Sequence, residues 1–323
     1  MIAHDSTSRA IPAALLLWAL FQVSAPLPPP TGPQGFTISR EVNLVVLPVT
    51  VSNRQGEFVS GLDAPNFHVY ENGNLQSITI FQSEDVPVTV GLVVDRSGSM
   101  AARSNDVLAG AMAFLEVSNP QDREFVVNFT ENIRFGLPVH VSFTSDANDL
   151  KHALSTSPAG GKTALYDSVI AALQHLDIST AGKKVLILIS DGGDTASRHK
   201  FAEALRMAQS ANATIYTIGL FDEHSSDQNP RVLRQLANET GGLTYSPSTS
   251  DDVVRVCRQI AGDIRHQYTI GYNPPDGDRS SYRKIHVEVS STGHGKLTVR
   301  TRAGYFPVSG KPADSTAEQG ASR

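Results

Sequence analysis

Three short segments carry oxygen-bearing side chains that could share one ligand. An apolar run, GLVV, ends in Asp95-Arg96-Ser97-Gly98-Ser99. A second apolar run, VLILIS, leads into Asp191 within SDGGD, and Thr163 lies in SPAGGKTALYD just before a helical pattern. Two carboxylates (Asp95, Asp191) and three hydroxyls (Ser97, Ser99, Thr163) form an all-oxygen set. Such a set suits a hard divalent cation, Mg²⁺ first, with Mn²⁺ or Ca²⁺ as the other options. Neutral hydroxyls donate little negative charge, so a cation held this way stays electron-poor and seeks one more anionic oxygen. The Asp or Glu of a protein partner can supply it. No His or Cys joins the set, which argues against zinc.

Other chemistries compete for the same residues. Asp95 taken alone is explained equally well as a cap for the following turn. Gly161-Lys162-Thr163 has the end of a phosphate-binding loop, but that motif needs a glycine where Thr156 stands, and no strand precedes it. A Mg²⁺-dependent phosphatase of the haloacid dehalogenase type places an Asp nucleophile after an apolar strand and a second Asp two residues on. Here position 97 is Ser, which cannot relay a proton as a carboxylate does at neutral pH. That enzyme is kept as the alternative function. RSGSM is not a serine-hydrolase GxSxG, and no His/Asp pair is placed to activate Ser97 or Ser99.

A shared cation requires the three segments to meet, and the surrounding elements are of the kind that would bring them together. From residue 86 to 266 apolar strands alternate with helical patterns: VPVTVGLVVD, a helix over 103–117, REFVVNFT, a helix from Leu165 to Leu176, KKVLILIS, ATIYTIGL and further helices near Phe201, Val232 and Cys257. Alternation of this kind predicts a doubly wound, mostly parallel α/β sheet with strand order 3-2-1-4-5-6. Ligands of such sheets bind at the carboxyl ends of the strands where strand order reverses. The exception to parallel pairing is RFGLPVHVSF, joined to REFVVNFT by only Glu131-Asn132, so that pair must be antiparallel. On the first helix Val107, Leu108, Ala111, Met112 and Leu115 are expected to face the core.

The flanks read differently. VNLVVLPVTV is a β-branched run in which Pro48 predicts an edge or a bulge. NFHVYENGNLQSITIF carries Asn72-Gly73, a two-residue hairpin signal that sets Phe67 opposite Ile78. After Gln267, Ile285, Val287 and Val289 alternate with polar residues, and LTVRTR follows. Residues 37–85 and 267–308 are therefore expected to pair into one smaller, sandwich-like accessory β-domain beside the 86–266 core.

With these residues in place, a resemblance emerges. Asp95-x-Ser97-x-Ser99, Thr163 and Asp191 resemble the metal-ion-dependent adhesion site of von Willebrand factor type A domains, whose core is Rossmann-like, in order and in strand context. The similarity covers roughly Val86 to Arg265. It implies that the serines and the threonine touch the metal, while the aspartates act directly or through water. GEFVSGLDAPNFHVYENG before this region, and YTIGYNPPDG and RAGYFP after it, resemble the flanks of secreted bacterial proteins with a related A-type domain. The expected function is an exported, non-enzymatic, metal-dependent adhesion or assembly module. A scaffold that binds through its β-domain is the remaining option.

The bulk properties agree. The 323 residues are 40% hydrophobic and 18% charged with a net charge of −5, and no basic run points to nucleic acid. IPAALLLWALFQVSA near the N-terminus reads as a signal peptide over 1–25, too short for a comfortable membrane span. It predicts a periplasmic or extracellular protein with no span in the mature chain. A Pro/Gly linker over 26–36 follows, and the polar tail over 309–323 is expected to be disordered. The single cysteine, Cys257, shares a helical face with Val253, Ile260 and Ile264 and reads as a buried apolar residue. Asp167 and Asp194 lie close enough in sequence to support the site or to cap its turns, and His286 and His294 read as surface residues.

Overall fold

A computed structural model describes residues 44–222, 227–275, 278, 280–291, 293 and 295–307. The signal-like segment 1–25, the linker 26–36, His294 and the tail 309–323 lie outside the described residues. Among the described residues no helix is long and apolar enough to cross a membrane.

Alternation shapes the first strands. β1 (Val45–Ser52) turns Val45, Leu47, Val49 and Val51 into a core. Pro48 pairs with Thr269 on one side, while its carbonyl accepts a hydrogen bond from Thr301 Oγ1 (2.8 Å) on the other. The missing N–H points the same way as that carbonyl, so the proline costs no ladder bond. β2 (Phe67–Glu71) and β3 (Asn74–Gln76) form the expected hairpin, with Asn72 and Gly73 at φ 50° and 84°. The pairing of Phe67 with Ile78 does not occur. β4 (Ile78–Gln82) leaves for another sheet, so that Ile78 faces Tyr272 and Phe67 faces Val289. Crossing over buries Phe67 and half-buries Ile78, and the Phe67 and Phe81 rings meet from opposite sheets at 5.3 Å.

All eight residues of β5 (Val88–Asp95) are buried, as a strand covered on both faces requires. A 3₁₀ stretch, Gly98–Arg103, leads into α1 (Ser104–Glu116). The buried face of α1 runs through Val107, Gly110, Ala111 and Phe114, whereas Leu108, Met112 and Leu115 are only half-buried. The expected face is thus rotated, because Gly110 marks the point of closest approach to a neighbouring helix. A Cβ there would lie 2.8 Å from Val253 Cγ1 and 2.9 Å from Cys257 Sγ. β6 (Arg123–Phe129) and β7 (Ile133–Phe135) pair antiparallel as expected. β7 is shorter than its sequence pattern: Pro138 cannot donate to a ladder, and the chain rejoins the sheet only where Thr144 bridges Glu124. α2 (Ala147–Ser155) was not anticipated; Asp146 caps it by accepting from Asn148 N at 2.7 Å.

The chain then runs through α3 (Leu165–Asp177), β8 (Lys183–Ser190), α4 (Phe201–Ser210), β9 (Thr214–Gly219), α5 (Pro230–Thr240), β10 (Thr244–Tyr245) and α6 (Ser250–Arg265). The central sheet has the order β10-β9-β8-β5-β6-β7. Counted from β5 this is 3-2-1-4-5-6, parallel except for β7. Val253, Cys257, Ile260 and Ile264 line the buried face of α6 together. The flanks supply the remaining strands, β11 (Tyr268–Tyr272), β12 (Arg283–Val289), β13 (Thr298–Arg300) and β14 (Gly304–Tyr305). They complete two four-stranded sheets, β13-β1-β11-β4 and β14-β12-β2-β3. All three sheets belong to one compact unit.

Two buried acids hold this arrangement. Glu71 accepts from Tyr272 OH (2.6 Å), Tyr305 OH (2.9 Å) and Arg283 (2.8 Å), tying the early and late strands together. Asp263 on α6 accepts from Tyr216 OH on β9 (2.7 Å), from Thr50 Oγ1 on β1 (3.1 Å) and from Arg300 on β13. It thereby joins the central sheet to the flanking strands. Asp263→Ala leaves Arg300 without its counter-charge and is expected to cost about 3–5 kcal/mol of stability. The check is the urea midpoint; an unchanged midpoint refutes the role assigned to this acid.

A second cluster sits at the opposite end of the strands from Asp95. Asp122 accepts from Val88 N (2.9 Å) and Asn119 N (3.0 Å) and pairs with Arg265. Beside it, burial first and Asp122 second push the Glu124 carboxyl up to about 8, against the pull of Arg265. A carboxyl that binds its proton more tightly when folded loses stability as pH rises from its unfolded value to its folded one. Lys183, pulled down to about 8 by burial, acts in the opposite sense and only above that value. Glu124→Gln is therefore expected to gain stability relative to wild type between pH 5 and pH 8. Urea unfolding at both values tests this, and a gap that does not widen with pH counts against it.

Candidate metal centre

The carboxyl end of β5 lies between β6 and β8, with which it runs parallel on either side, so the direction of winding reverses there. Asp95 ends that strand and is 1% exposed. A buried carboxylate needs partners, and both oxygens have one. Oδ1 accepts from Ser97 N (2.9 Å) and Oδ2 from Ser190 Oγ (2.6 Å). Burial pushes the Asp95 carboxyl up to about 6; the bonds from Ser190 and Ser97 oppose this, and the charge of Asp191 adds to it. An acid held up by burial and by a like charge gains from a cation placed between the two.

Ser97 adopts an extended conformation that turns the chain into the 3₁₀ stretch and brings its hydroxyl within 3.2 Å of Ser99 Oγ. Ser99 Oγ donates to Asp191 Oδ2 (2.7 Å), and Asp191 Oδ1 accepts from Gly193 N (2.9 Å). With Ser99 donating to Asp191, the proton between the serines comes from Ser97. The hydroxyl protons then all point along the chain Ser97, Ser99, Asp191, and lone pairs remain for another ligand. Ser99 is exposed while Asp95 is buried, so the cluster opens to solvent on the Ser99 side.

Four of the five residues are thus joined by direct contacts. Thr163 reaches the same rim through its loop. Gly160 N donates to Arg96 O (2.7 Å) and Gly98 N to Gly161 O (3.3 Å), so the loop before Thr163 is sewn to the Asp95 loop. Thr163 N donates to Thr195 Oγ1 (3.0 Å), and its carbonyl accepts from Thr195 N (2.8 Å) and Ala196 N (2.9 Å). Its side chain is nearly buried, yet among the described residues the hydroxyl has no hydrogen-bond partner. A free hydroxyl on a loop sewn to the Asp95 loop fits an oxygen-seeking cation. The donor set is all oxygen, as the same fit requires.

Asp167 and Asp194 act as braces at one remove. Asp194 accepts from Tyr166 N (3.3 Å) and Ser197 Oγ (2.5 Å). Asp167 accepts from Arg198 N, His199 N and His199 Nδ1 (3.0, 3.0 and 2.7 Å). Together they hold the segment that clamps Thr163. Two residues escaped the sequence reading. Ser190 precedes Asp191 and supplies the donor for Asp95, but a lone Ser at a strand end gives no signal of its own. Arg96 turns inward: it is 4% exposed and donates to Asn128 Oδ1 (3.1 Å) and to the Leu154 carbonyl.

Comparisons with known proteins bear on the fold and the family. The chain is 28% identical over 222 residues to a UPF0353 protein of Mycobacterium avium, covering 59% of this chain and 63% of that one. It is 26% identical over 167 residues to a protein of Borreliella burgdorferi, covering 46% and 44%. The chain therefore spans less than two thirds of these relatives' own length. Among solved structures, the von Willebrand factor type A protein of Catenulispora acidiphila superposes with a TM-score of 0.50 at 15% identity, covering 80% of this chain and 74% of that one. That likeness concerns the fold alone, and it extends into the flanking strands because it covers more than the core. The family model for the von Willebrand factor type A domain matches residues 89–258, from the second residue of β5 into α6 and more than half of the sequence. A sheet wound in that order, with this rim, over that span, is a member of the von Willebrand factor type A domain family.

Proposed function

We propose that the chain holds one hard divalent cation, Mg²⁺ first, through Asp95, Ser97, Ser99, Thr163 and Asp191, and uses it to grip a carboxylate on a protein partner. The observation that carries this reading is the continuous contact from Ser97 through Ser99 to Asp191 beside the buried Asp95. When bound, the cation supplies an electron-poor centre for one outside anionic oxygen. The residues do the rest. Asp95 and Asp191 balance the charge, while the three hydroxyls contribute neutral oxygens and keep the centre in need of that anion. Ser190 fixes the rotamer of Asp95, and the exposed Ser99 marks the open side. The role is binding rather than catalysis, on an exported protein, and the flanking strands serve as an accessory β-domain.

The phosphatase alternative needs Asp95 as an accessible nucleophile. Its 1% exposure, with both oxygens accepting hydrogen bonds, favours the reading of a held ligand instead. Ser97 also stands where such enzymes need a second carboxylate.

Saturating Mg²⁺ is expected to raise the melting temperature, by the equivalent of about 2.7 kcal/mol at one hundred times the Kd. Asp95→Ala and Thr163→Ala should abolish that rise while leaving the circular dichroism spectrum native. Capture of a partner from the native exported fraction should need Mg²⁺ and fail in EDTA. Capture indifferent to EDTA and to Ser97→Ala would assign binding to the β-domain and sink the metal reading. Turnover of a phosphate ester that vanishes in Asp95→Asn would instead favour the enzyme. Ser190→Ala keeps every proposed ligand, yet it should weaken Mg²⁺ binding about ten- to one-hundred-fold by freeing Asp95, as titration calorimetry would show.

A further inference from the structure

A groove of about 790 Å³ opens where the sheet of β14, β12, β2 and β3 meets the last turns of α4 and α5. Its size is that of a small-molecule site, roughly 300–1,000 Å³, and none of its residues belongs to the metal rim. One wall holds Tyr282, Glu239 and Gln209. Glu239 Oε2 accepts from Gln209 Nε2 (3.0 Å) and from Tyr282 OH (3.0 Å). The Tyr282 ring meets the Phe306 ring at 5.2 Å and rests on bare backbone at Gly304, where a Cβ would lie 2.6 Å from its Cζ. Ring and acid are therefore fixed before any ligand arrives. The other acid oxygen, Glu239 Oε1, has no hydrogen-bond partner among the described residues.

The other wall is the outer face of β2 and β12. Tyr70 and His286 are cross-strand partners with ring centroids 6.1 Å apart. Lys284 is exposed and forms no ion pair among the described residues. Asn72, in the hairpin turn, accepts through Oδ1 from Lys284 N (2.9 Å), and its Nδ2 has no acceptor among the described residues.

These groups suit one class of ligand. The backbone along the groove is already paired: Asn72 N donates to Lys284 O (2.9 Å), and Ile285 N to Ala303 O (2.9 Å). An extended peptide that binds by adding to a sheet finds no open ladder there. The Glu239 carboxylate and the Lys284 ammonium offset each other, so no strong field selects a phosphorylated ligand. What the groove does offer is aromatic faces together with a carboxylate oxygen, an amide and an ammonium. A neutral pyranose is complementary to that set. Its C–H face is apolar and lies on an aromatic ring, while its hydroxyls both donate and accept.

We propose that this groove binds a neutral oligosaccharide, with Tyr70 and Tyr282 stacking on sugar rings and Glu239 Oε1 accepting from a sugar hydroxyl. The site is separate from the metal rim and does not depend on the metal-dependent reading above.

The test uses the full chain and a panel of neutral di- and trisaccharides of glucose, mannose, galactose and N-acetylglucosamine. Binding is detected by saturation-transfer NMR and titrated by calorimetry, in Mg²⁺ and in EDTA. At least one saccharide should bind, equally in both. Tyr70→Ala removes a stacking face and should weaken that binding about three- to ten-fold. Glu239→Gln keeps an acceptor for Gln209 and Tyr282 but replaces the free oxygen with an amide NH₂, and should weaken it about ten-fold. Circular dichroism of both variants should stay native. Saccharide binding lost in EDTA belongs to the metal rim, and binding untouched by both variants lies elsewhere on the chain. Either result, or no binding across the panel, overturns the inference and leaves the metal reading as it stands. So does retention on an immobilised heptapeptide array that Tyr70→Ala abolishes while no saccharide binds, which would make the groove a peptide site.

Discussion

A carboxylate withdrawn from water at the end of a central strand has to be met by donors, and meeting those donors constrains the whole rim. Asp95 takes one hydrogen bond from two residues along its own chain and another from Ser190 on the neighbouring strand. The second bond exists because β5 and β8 run parallel with Val94 beside Ile189, which brings the end of one strand level with the end of the other. A slip of one residue would turn Ser190 to the other face of the sheet and leave Asp95 Oδ2 unmet. Slippage is opposed by the burial of every residue of β5 and of nearly all of β8. The geometry of the rim is inherited from the ladder below it, and the loops refine what the strands have already brought together.

The anchoring of the flanks falls elsewhere. Asp122 with Val88 N, Arg265 with Asp122, and Lys183 Nζ with the Gln267 carbonyl (3.1 Å) all lie at the starts of β5, β6 and β8. Asp263 reaches Tyr216 from α6, and α6 packs against α1 at Gly110. The sandwich strands are thus joined to the core through α6, the strand starts and the last turns of α4 and α5, while the strand ends carry the oxygen cluster. This division lets a large surface be spent on stability without crowding the ligands. It also gives buried polar groups such as Glu71 and Asp263 a complete set of partners, without which they would be costly.

Much of this was legible because its signals are local or periodic. Continuous apolar runs marked β5 and β8, Asn72-Gly73 marked the hairpin, and the face of α6 followed from Val253, Cys257, Ile260 and Ile264. Four of the five ligand candidates stood out because acids and hydroxyls followed apolar strands, and Thr163 because it opened a helical pattern. What escaped depends on contacts distant in sequence. Ile78 continues the hairpin pattern, and only the competing pull of Tyr272 takes it to another sheet. The face of α1 turns on Gly110, which carries no hydrophobic signal yet marks where two helices touch. Ser190 acts only through a residue 95 positions away. α2 has a short apolar set, Leu150, Ala153 and Leu154, too brief to declare a helix by period.

α2 is also where the placement of Arg96 finds its reason. A cation one residue from the buried acid would pair with Asp95 or Asp191 if it faced the rim. It faces inward instead, where the last turn of α2 presents carbonyls with no intrahelical partner. Arg96 donates to the Leu154 carbonyl, Asn128 Nδ2 donates to the Ala153 carbonyl (2.8 Å), and Arg96 Nε donates to Asn128 Oδ1 (3.1 Å). A positive group at a helix C-terminus is favoured by the helix dipole, which offsets part of the cost of burying it without a carboxylate. The same residue that clears the rim of positive charge therefore closes the end of a helix and ties the ligand loop to β6. Its burial keeps the guanidinium away from Asp95 and Asp191.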